Sequence, residues 1–374
     1  MFYNFVFTGR VNTEPKKETK DVGSKGAKKS TVSFQLATES NKQYLQLEYW
    51  EDKGGVAPTQ LSIQQLKEDG TRESKKIDFK NRREEVFLKS APDFVKKEVL
   101  GRTYITYDKD VADDIMTNVK KDMVLFIKGS VEYQYSKKTG KVYQKFNIKE
   151  IKEANEGAKL DFKVTADVYF DKTVLDPTQY VNGELTEQAK IDKVVPINCY
   201  VAQKNDFNDK DKVNFIPLPL TMNMSKVDFE NNKKGVDKLN ILLSDFEFDS
   251  DVVKVHQVAY EPVNGAETVE MTDEEFLQTI PERLRKHYEA GIRTMDEIKM
   301  QIGITKENIQ ELRFKGFTIN KNYVDGALDT EYTTDNLAEY ITKLQQEPST
   351  TEVKPVTQSQ NDSILMDDEL DELL

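Results

Sequence analysis

Cysteine, histidine and tryptophan are nearly missing from this 374-residue chain, which has one Cys, two His and one Trp. The single thiol, Cys199, excludes an internal disulfide, and with only His256 and His287 beside it the chain holds no Cys/His zinc set. Long apolar runs are missing too: no stretch of about 18 apolar residues offers a membrane-spanning helix. The N-terminus enters an alternating strand pattern at once instead of a cleavable apolar leader, so the expected setting is cytoplasmic, with no membrane partner. There is no Gly-x-x-x-x-Gly-Lys-Ser/Thr loop, no Gly-x-Ser-x-Gly elbow and no His-Glu-x-x-His. The carboxylate runs Asp113-Asp114 and Asp273-Glu274-Glu275 fall at expected helix starts, where capping explains them more simply than a metal pair. The expectation is a non-enzyme with no catalytic group, metal or cofactor.

What is present is charge, unevenly spread. Hydrophobic residues at 37% and charged residues at 32% describe folded domains with a very polar surface, not a disordered chain. Residues 1–160 carry 31 Lys and Arg against 24 Asp and Glu, whereas residues 161–374 carry 23 against 42. A basic front half with an acidic free end suits a nucleic-acid binder whose tail must stay off the ligand and remain free to recruit proteins. The last eight residues, Asp367, Asp368, Glu369, Leu370, Asp371, Glu372, Leu373 and Leu374, interleave five carboxylates with three leucines. They hang on a Pro/Ser/Thr/Gln-rich leader from about Glu347, and residues 347–374 read as a flexible linker and disordered acidic docking tail.

Strands dominate the first 155 residues. Phe2 to Val11 is the first, followed by a lysine-rich segment from Asn12 to Lys29, expected to be too polar to pack. Thr31 to Thr38 places Val32, Phe34 and Leu36 on one face. Tyr44 to Trp50 turns Leu45, Leu47 and Tyr49 inward, so Tyr44 and Trp50 point out, where two large aromatics need a reason. Residues 51–108 lose the pattern and read as an insertion with two short helical candidates, near Asn81 to Leu88 and Pro92 to Leu100. Asp110 is a candidate N-cap for a helix whose Val111, Ile115 and Val119 form one apolar stripe. Met123 to Tyr135 and Val142 to Ile151 form a long ribbon with a basic tip.

Three strands, a helix and two strands make the order of the five-stranded OB barrel. The segments Gly9-Arg10-Val11-Asn12, Phe34 to Thr38, Tyr44 to Trp50 and Val119 to Gly129 resemble, in that order, the bacterial single-stranded DNA-binding family. The long insertion and the Leu-Leu end bring the plan closer to its larger phage-encoded relatives; that would place the chain in a bacterial host cytoplasm. The resemblance implies roles in DNA replication, recombination and repair. It also implies that Tyr44 and Trp50, six residues apart, stack on bases. Candidate phosphate contacts are Arg10, the first-loop lysines including Lys28 and Lys29, and the ribbon-tip residues Lys137, Lys138 and Lys141. Tyr133, Tyr135 and Tyr143 are further stacking candidates.

The pattern starts afresh near Leu160. Alternation through Asp171, Val195 to Val201, Val213 to Met222 and Val252 to Ala259 fits a second OB-like barrel over residues 159–265, with Val236 to Phe246 left as helix or strand. Cys199 reads as a buried packing residue. Residues 268–346 read as a small helical module: Thr272 with Glu275 and Thr294 with Glu297 are capping boxes, and Ile298, Ile309, Leu312, Leu337, Ile341 and Leu344 suit short packed helices. The fold expected is therefore mainly β with α. Three functions compete: a sequence-nonspecific single-stranded DNA binder that recruits a polymerase, helicase or primase through its tail; a protein-interaction scaffold or transcription/recombination accessory subunit; and a metal-dependent nuclease. The first accounts for most of these features. Oligomeric state stays open.

Overall fold

A computed structural model describes residues 3–317 except 23–25, 40, 68–70, 137–138, 172–179, 182–183, 188–193, 205–214, 226–251, 269–275, 279, 296 and 299–305. The acidic tail, its leader, the expected element at 236–246 and the apolar positions Leu337, Ile341 and Leu344 lie outside the described residues.

The first barrel uses β1 (Tyr3–Val11), β3 (Ala27–Ala37), β4 (Lys42–Trp50), β9 (Val124–Ser136) and β10 (Lys141–Glu153). The pairing runs β1–β3–β4–β10–β9 and returns to β1, antiparallel throughout except for β4 with β10. A closed five-stranded ring in which the third and fifth strands run parallel is the OB topology. Strict alternation builds it: Val32, Phe34, Leu36, Leu45 and Leu47 all face the core. Helix α2 (Asp108–Asn118) lies between the third and fourth strands of the ring and buries Val111, Ile115 and the following Val119, as its four-residue spacing predicts.

The lysine-rich segment after β1 is not loose. Lys16–Val22 forms β2, which pairs with β3 although every one of its residues is exposed. It was invisible to apolar periodicity because it buries nothing. The segment between β4 and α2 also holds more strand than expected: the hairpin β5 (Gln60–Leu66) with β6 (Arg72–Asp78), one helix α1 (Glu85–Ser90), and the hairpin β7 (Lys96–Val99) with β8 (Arg102–Ile105). Of the two helical candidates the first holds α1, and the second only a three-residue 3-10 turn, Asp93–Val95, before β7. Asp110 is no N-cap either. It lies inside α2, and Arg82 grips it through two hydrogen bonds of 2.7 and 3.0 Å while Arg83 lies at 3.0 Å, tying the segment to the barrel. Burial works against ionisation there, yet the two guanidiniums still hold the Asp110 carboxyl below its ordinary range.

The second ring is built from β11 (Asp161–Asp171), β14 (Val194–Lys204), β15 (Phe215–Ser225), β16 (Val252–Thr268) and β17 (Lys306–Phe317), with a two-residue pair, β12 (Tyr180–Val181) and β13 (Glu184–Leu185), beside it. Its pairing, β11–β14–β15–β17–β16 and back to β11, repeats the first ring, with the third and fifth strands again parallel. Its last strand falls where a helical module was expected. Ile309 and Leu312 suggested a helical face, but Leu312 and Phe314 alternate, and Phe314 enters the barrel core. Helix does precede it: α3 (Glu282–Glu289) and a capping box in which Thr294 and Glu297 exchange bonds of 2.8 and 3.3 Å. Cys199 is buried, donates to the Leu220 carbonyl at 3.3 Å, and burial pushes its thiol well above the ordinary value.

The rings join through their first strands. β1 pairs antiparallel with β11 from Tyr3↔Ala166 to Thr8↔Asp161, leaving only Arg10 and Val11 to pair with β3. One hydrophobic cluster runs through both barrels. Across the seam Phe7 stacks on Phe162 at 4.3 Å, and buried Asn41 donates to the Pro262 carbonyl and accepts from the Asn264 amide at 3.1 Å.

Candidate nucleic-acid interface

In an OB barrel the second and third strands, with the loops between strands one and two and between four and five, form the usual surface for oligonucleotides. Here that surface is the outer face of β3 and β4, the β2–β3 hairpin and the β9–β10 tip. Alternation along β4 sends Tyr44, Gln46, Glu48 and Trp50 outward. Trp50 is 58% exposed, an unusual position for a chain's only indole. Lys29 lies across from it on β3, and Gln35 across from Tyr44. At about 3.3 Å per residue the two aromatics stand about 20 Å apart along the strand.

The parallel pairing Leu45↔Phe146 brings a third strand to this face. With Phe146 buried, its neighbours Lys145 and Asn147 turn outward beside Tyr44 and Gln46, and Tyr143 continues the row towards the tip. Tyr143 exchanges a hydrogen bond with Thr139 at 2.9 Å. Lys145 was not a sequence candidate. Its outward phase was readable from Phe146 and Ile148, but its proximity to Tyr44 depends on a parallel pairing that no local pattern encodes.

The face is not simply cationic. Glu48 accepts from Lys29 and, at 2.6 Å, from Lys145. Burial alone would raise its carboxyl, but the two ammonium groups outweigh that and hold it below the ordinary range. At the barrel mouth Glu51 accepts from Lys17 at 2.5 Å and from buried Ser30 at 2.5 Å, and these bonds, Lys17 first, lower it to about 2. Lysines next to the aromatics are thus held by carboxylates of the same face.

The remaining candidates divide. Lys28 and Lys141 are exposed, at the β2–β3 hairpin and the ribbon tip, while Lys137 and Lys138 lie outside the described residues. Tyr135 is half-buried against the core. Arg10 is exposed but belongs elsewhere: paired with Ala37 at the far end of β3, it stands about 26 Å along the strand from Lys29 and donates to the Asp122 carbonyl at 3.0 Å. Tyr133 is corrected outright. It is 1% exposed, its hydroxyl meets that of Tyr260 at 2.5 Å, and its ring packs edge-on to Tyr3. The second barrel covers this part of the ribbon, so no base can stack there.

No three His, Cys, Asp or Glu side chains converge to hold a metal ion among the described residues. No helix among them is long and apolar enough to cross a membrane. The Arg283, Arg285 and Lys286 side of α3 is a helix surface with i,i+4 pairs, Lys286 with Glu282 at 2.8 Å and Arg285 with Glu289 at 3.9 Å.

No protein-family model matches the chain, and no curated protein does. Among solved structures it is similar to a deletion mutant of the single-stranded DNA-binding protein from Thermus aquaticus, at 10% identity and a TM-score of 0.28 over 70% of this chain and 87% of that one. A score so low carries no weight for fold or ligand. The OB assignment rests on the two pairing rings.

Proposed function

We propose that the protein binds single-stranded DNA without sequence preference through the outer face of β3, β4 and β10, and is not an enzyme. The observation that carries this reading is Trp50, mostly exposed on the third strand of an OB ring and in phase with Tyr44. Stacking on such faces tolerates any base and is worth about 1–3 kcal/mol per base. Phosphates would draw Lys29 and Lys145 away from Glu48, with Lys28 and Lys141 extending the track. The test is a fluorescence titration of the lone tryptophan with oligo-dT at two salt concentrations. Strong quenching, with log affinity falling against log salt at about 0.7 per phosphate neutralised, is expected. Absence of quenching by any oligonucleotide would remove the reading and favour a scaffold that binds protein.

The acidic tail fits a recruiting peptide in replication or recombination. Its leucines would supply grip, and its carboxylates on-rate and salt sensitivity, towards a polymerase, helicase or primase with a basic, apolar pocket. Deleting Asp362 to Leu374 should leave oligo-dT affinity intact while abolishing capture of such a protein. Retained capture would clear the tail of that role.

A further inference from the structure

A second charged surface lies on the far side of β10. An open groove of about 630 Å³ runs between the β7–β8 hairpin and the strands β9, β1 and β11, and so straddles the seam between the barrels. Its floor is a cross-strand row. Val6 on β1 is paired with Lys128 of β9 on one edge and with Lys163 of β11 on the other, and is itself 37% exposed. Neighbouring strands lie about 4.8 Å apart, so the two ammonium groups stem from positions roughly 10 Å apart around an apolar step.

Lys149 completes the set. The β9–β10 register shifts between Ile148 and Glu150, leaving Lys149 as the extra residue of a bulge on the groove wall. Bulges re-aim side chains, and this one turns a lysine out between two core-facing isoleucines, Ile148 and Ile151. Lys149 and Lys163 make no ion pair among the described residues, and Lys128 reaches Glu150 only at 3.7 Å. Two of the groove's three carboxylates are engaged from outside it, Lys152 holding Glu150 at 2.7 Å and Glu98 at 3.4 Å, and the third, Asp93, is taken by Lys96 at 2.8 Å on the hairpin side. The cations of this wall and floor are therefore less neutralised than those beside Trp50.

The groove is continuous with the proposed interface along a single strand. Lys145, Asn147 and Lys149 follow one another along β10, about 13 Å from the lysine beside Tyr44 to the bulge. We infer that the groove is a second phosphate track, along which a single strand leaving the aromatic face passes from the first barrel to the second. This rests on the reading of that face as a single-strand interface. Lys128, Lys149 and Lys163 take successive phosphates and Val6 offers an apolar contact to a sugar or base. The track is sequence-blind, because phosphate contacts position a strand without reading it.

The experiment compares full-length protein with the double variant Lys149→Glu/Lys163→Glu, using tryptophan quenching by oligo-dT of about 4 and about 16 nucleotides, the span of site sizes for one OB fold. The short oligonucleotide should bind both proteins alike. The long one should bind the variant about tenfold more weakly, with a log–log salt slope shallower by about 1.4 for two lost phosphate contacts. Lys149→Gln/Lys163→Gln should show the same slope change with a smaller loss. Lys76→Glu/Lys80→Glu, with the same change of net charge on the β5–β6 side, should show neither. If wild type is quenched by both oligonucleotides but the groove variants bind the long one normally, the track is wrong and the aromatic face stands. Equal losses for short and long, or an equal loss in the Lys76/Lys80 control, also overturn it. If wild type is quenched by neither, both proposals fall together.

Discussion

The two barrels share a ring order and a parallel pair, yet their corresponding outer faces have little in common. On β4 of the first, the outward positions are Tyr44, Gln46, Glu48 and Trp50, with lysines supplied from both neighbouring strands. On β15 of the second they include Pro219, Thr221 and Asn223, facing Tyr200 and Asn198 on β14. Prolines suit β15 because only Asn223 pairs with β17 on its other edge, so few ladder amides are lost. The lesson is that inward residues specify an OB ring and outward ones specify what it does. Two barrels can therefore be equal as folds and unequal as sites.

The sharpest way to break the comparison is to exchange its decisive residue. Trp50→Ala should cost about 1–3 kcal/mol of oligo-dT affinity, whereas Tyr200→Ala should change it little. Comparable losses from both, measured by anisotropy of a labelled oligonucleotide, would mean that the second barrel presents an equivalent site. Stability gives the next largest effect. Gly129 faces inward on β9, where an added Cβ would run into the Asn147 carbonyl and the Phe5 ring. Gly129→Ala should destabilise the protein by about 1–3 kcal/mol in urea unfolding without altering the aromatic face of what remains folded.

Acid should separate the barrels further. Glu51 sits in the folded protein at about 2, below its ordinary 4.5. Its bonds therefore stabilise the fold above about pH 4.5, and that contribution disappears as the pH falls towards 2. Melting followed across that window should show a smaller pH dependence for Glu51→Gln than for wild type. The smallest effect expected is a gain. Glu48→Gln removes the carboxylate that holds Lys29 and Lys145, so DNA affinity at low salt should rise by about 0.2–1 kcal/mol, the scale of ion pairs near a protein surface. A fall would mean that Glu48 positions those lysines for phosphate instead of competing for them.

Much of this architecture was legible wherever a strand buries one face. Val32, Phe34 and Leu36, or Val195, Ile197 and Cys199, announce themselves by alternation because one side of each strand faces a core. β2 was illegible for the opposite reason, having no buried face. β17 was misread because Ile309 and Leu312, three apart, suit a helix while Leu312 and Phe314, two apart, suit a strand, and the pairing with β16 decided between them. The outward phase of Tyr44 and Trp50 was readable in the same way. The inward phase of Tyr133 was readable too, since it alternates in step with Leu125, Ile127 and Val131; what no local pattern encodes is its partner across the seam, Tyr260, 127 residues further along the chain.

The pairing of β1 with β11 bears on the order of events at the ribosome. When the first barrel's own strands have emerged, β1 has given only its last two residues to β3 and still offers the edge from Tyr3 to Thr8. That edge is filled as soon as Asp161–Ala166 arrives, long before the second ring closes with Lys306–Phe317. Docking β11 early covers an edge open to other chains and fixes the strand from which the second barrel grows. A released fragment ending short of residue 161 would thus be sticky along β1, while one ending just beyond residue 171 would carry its first barrel with that edge sealed.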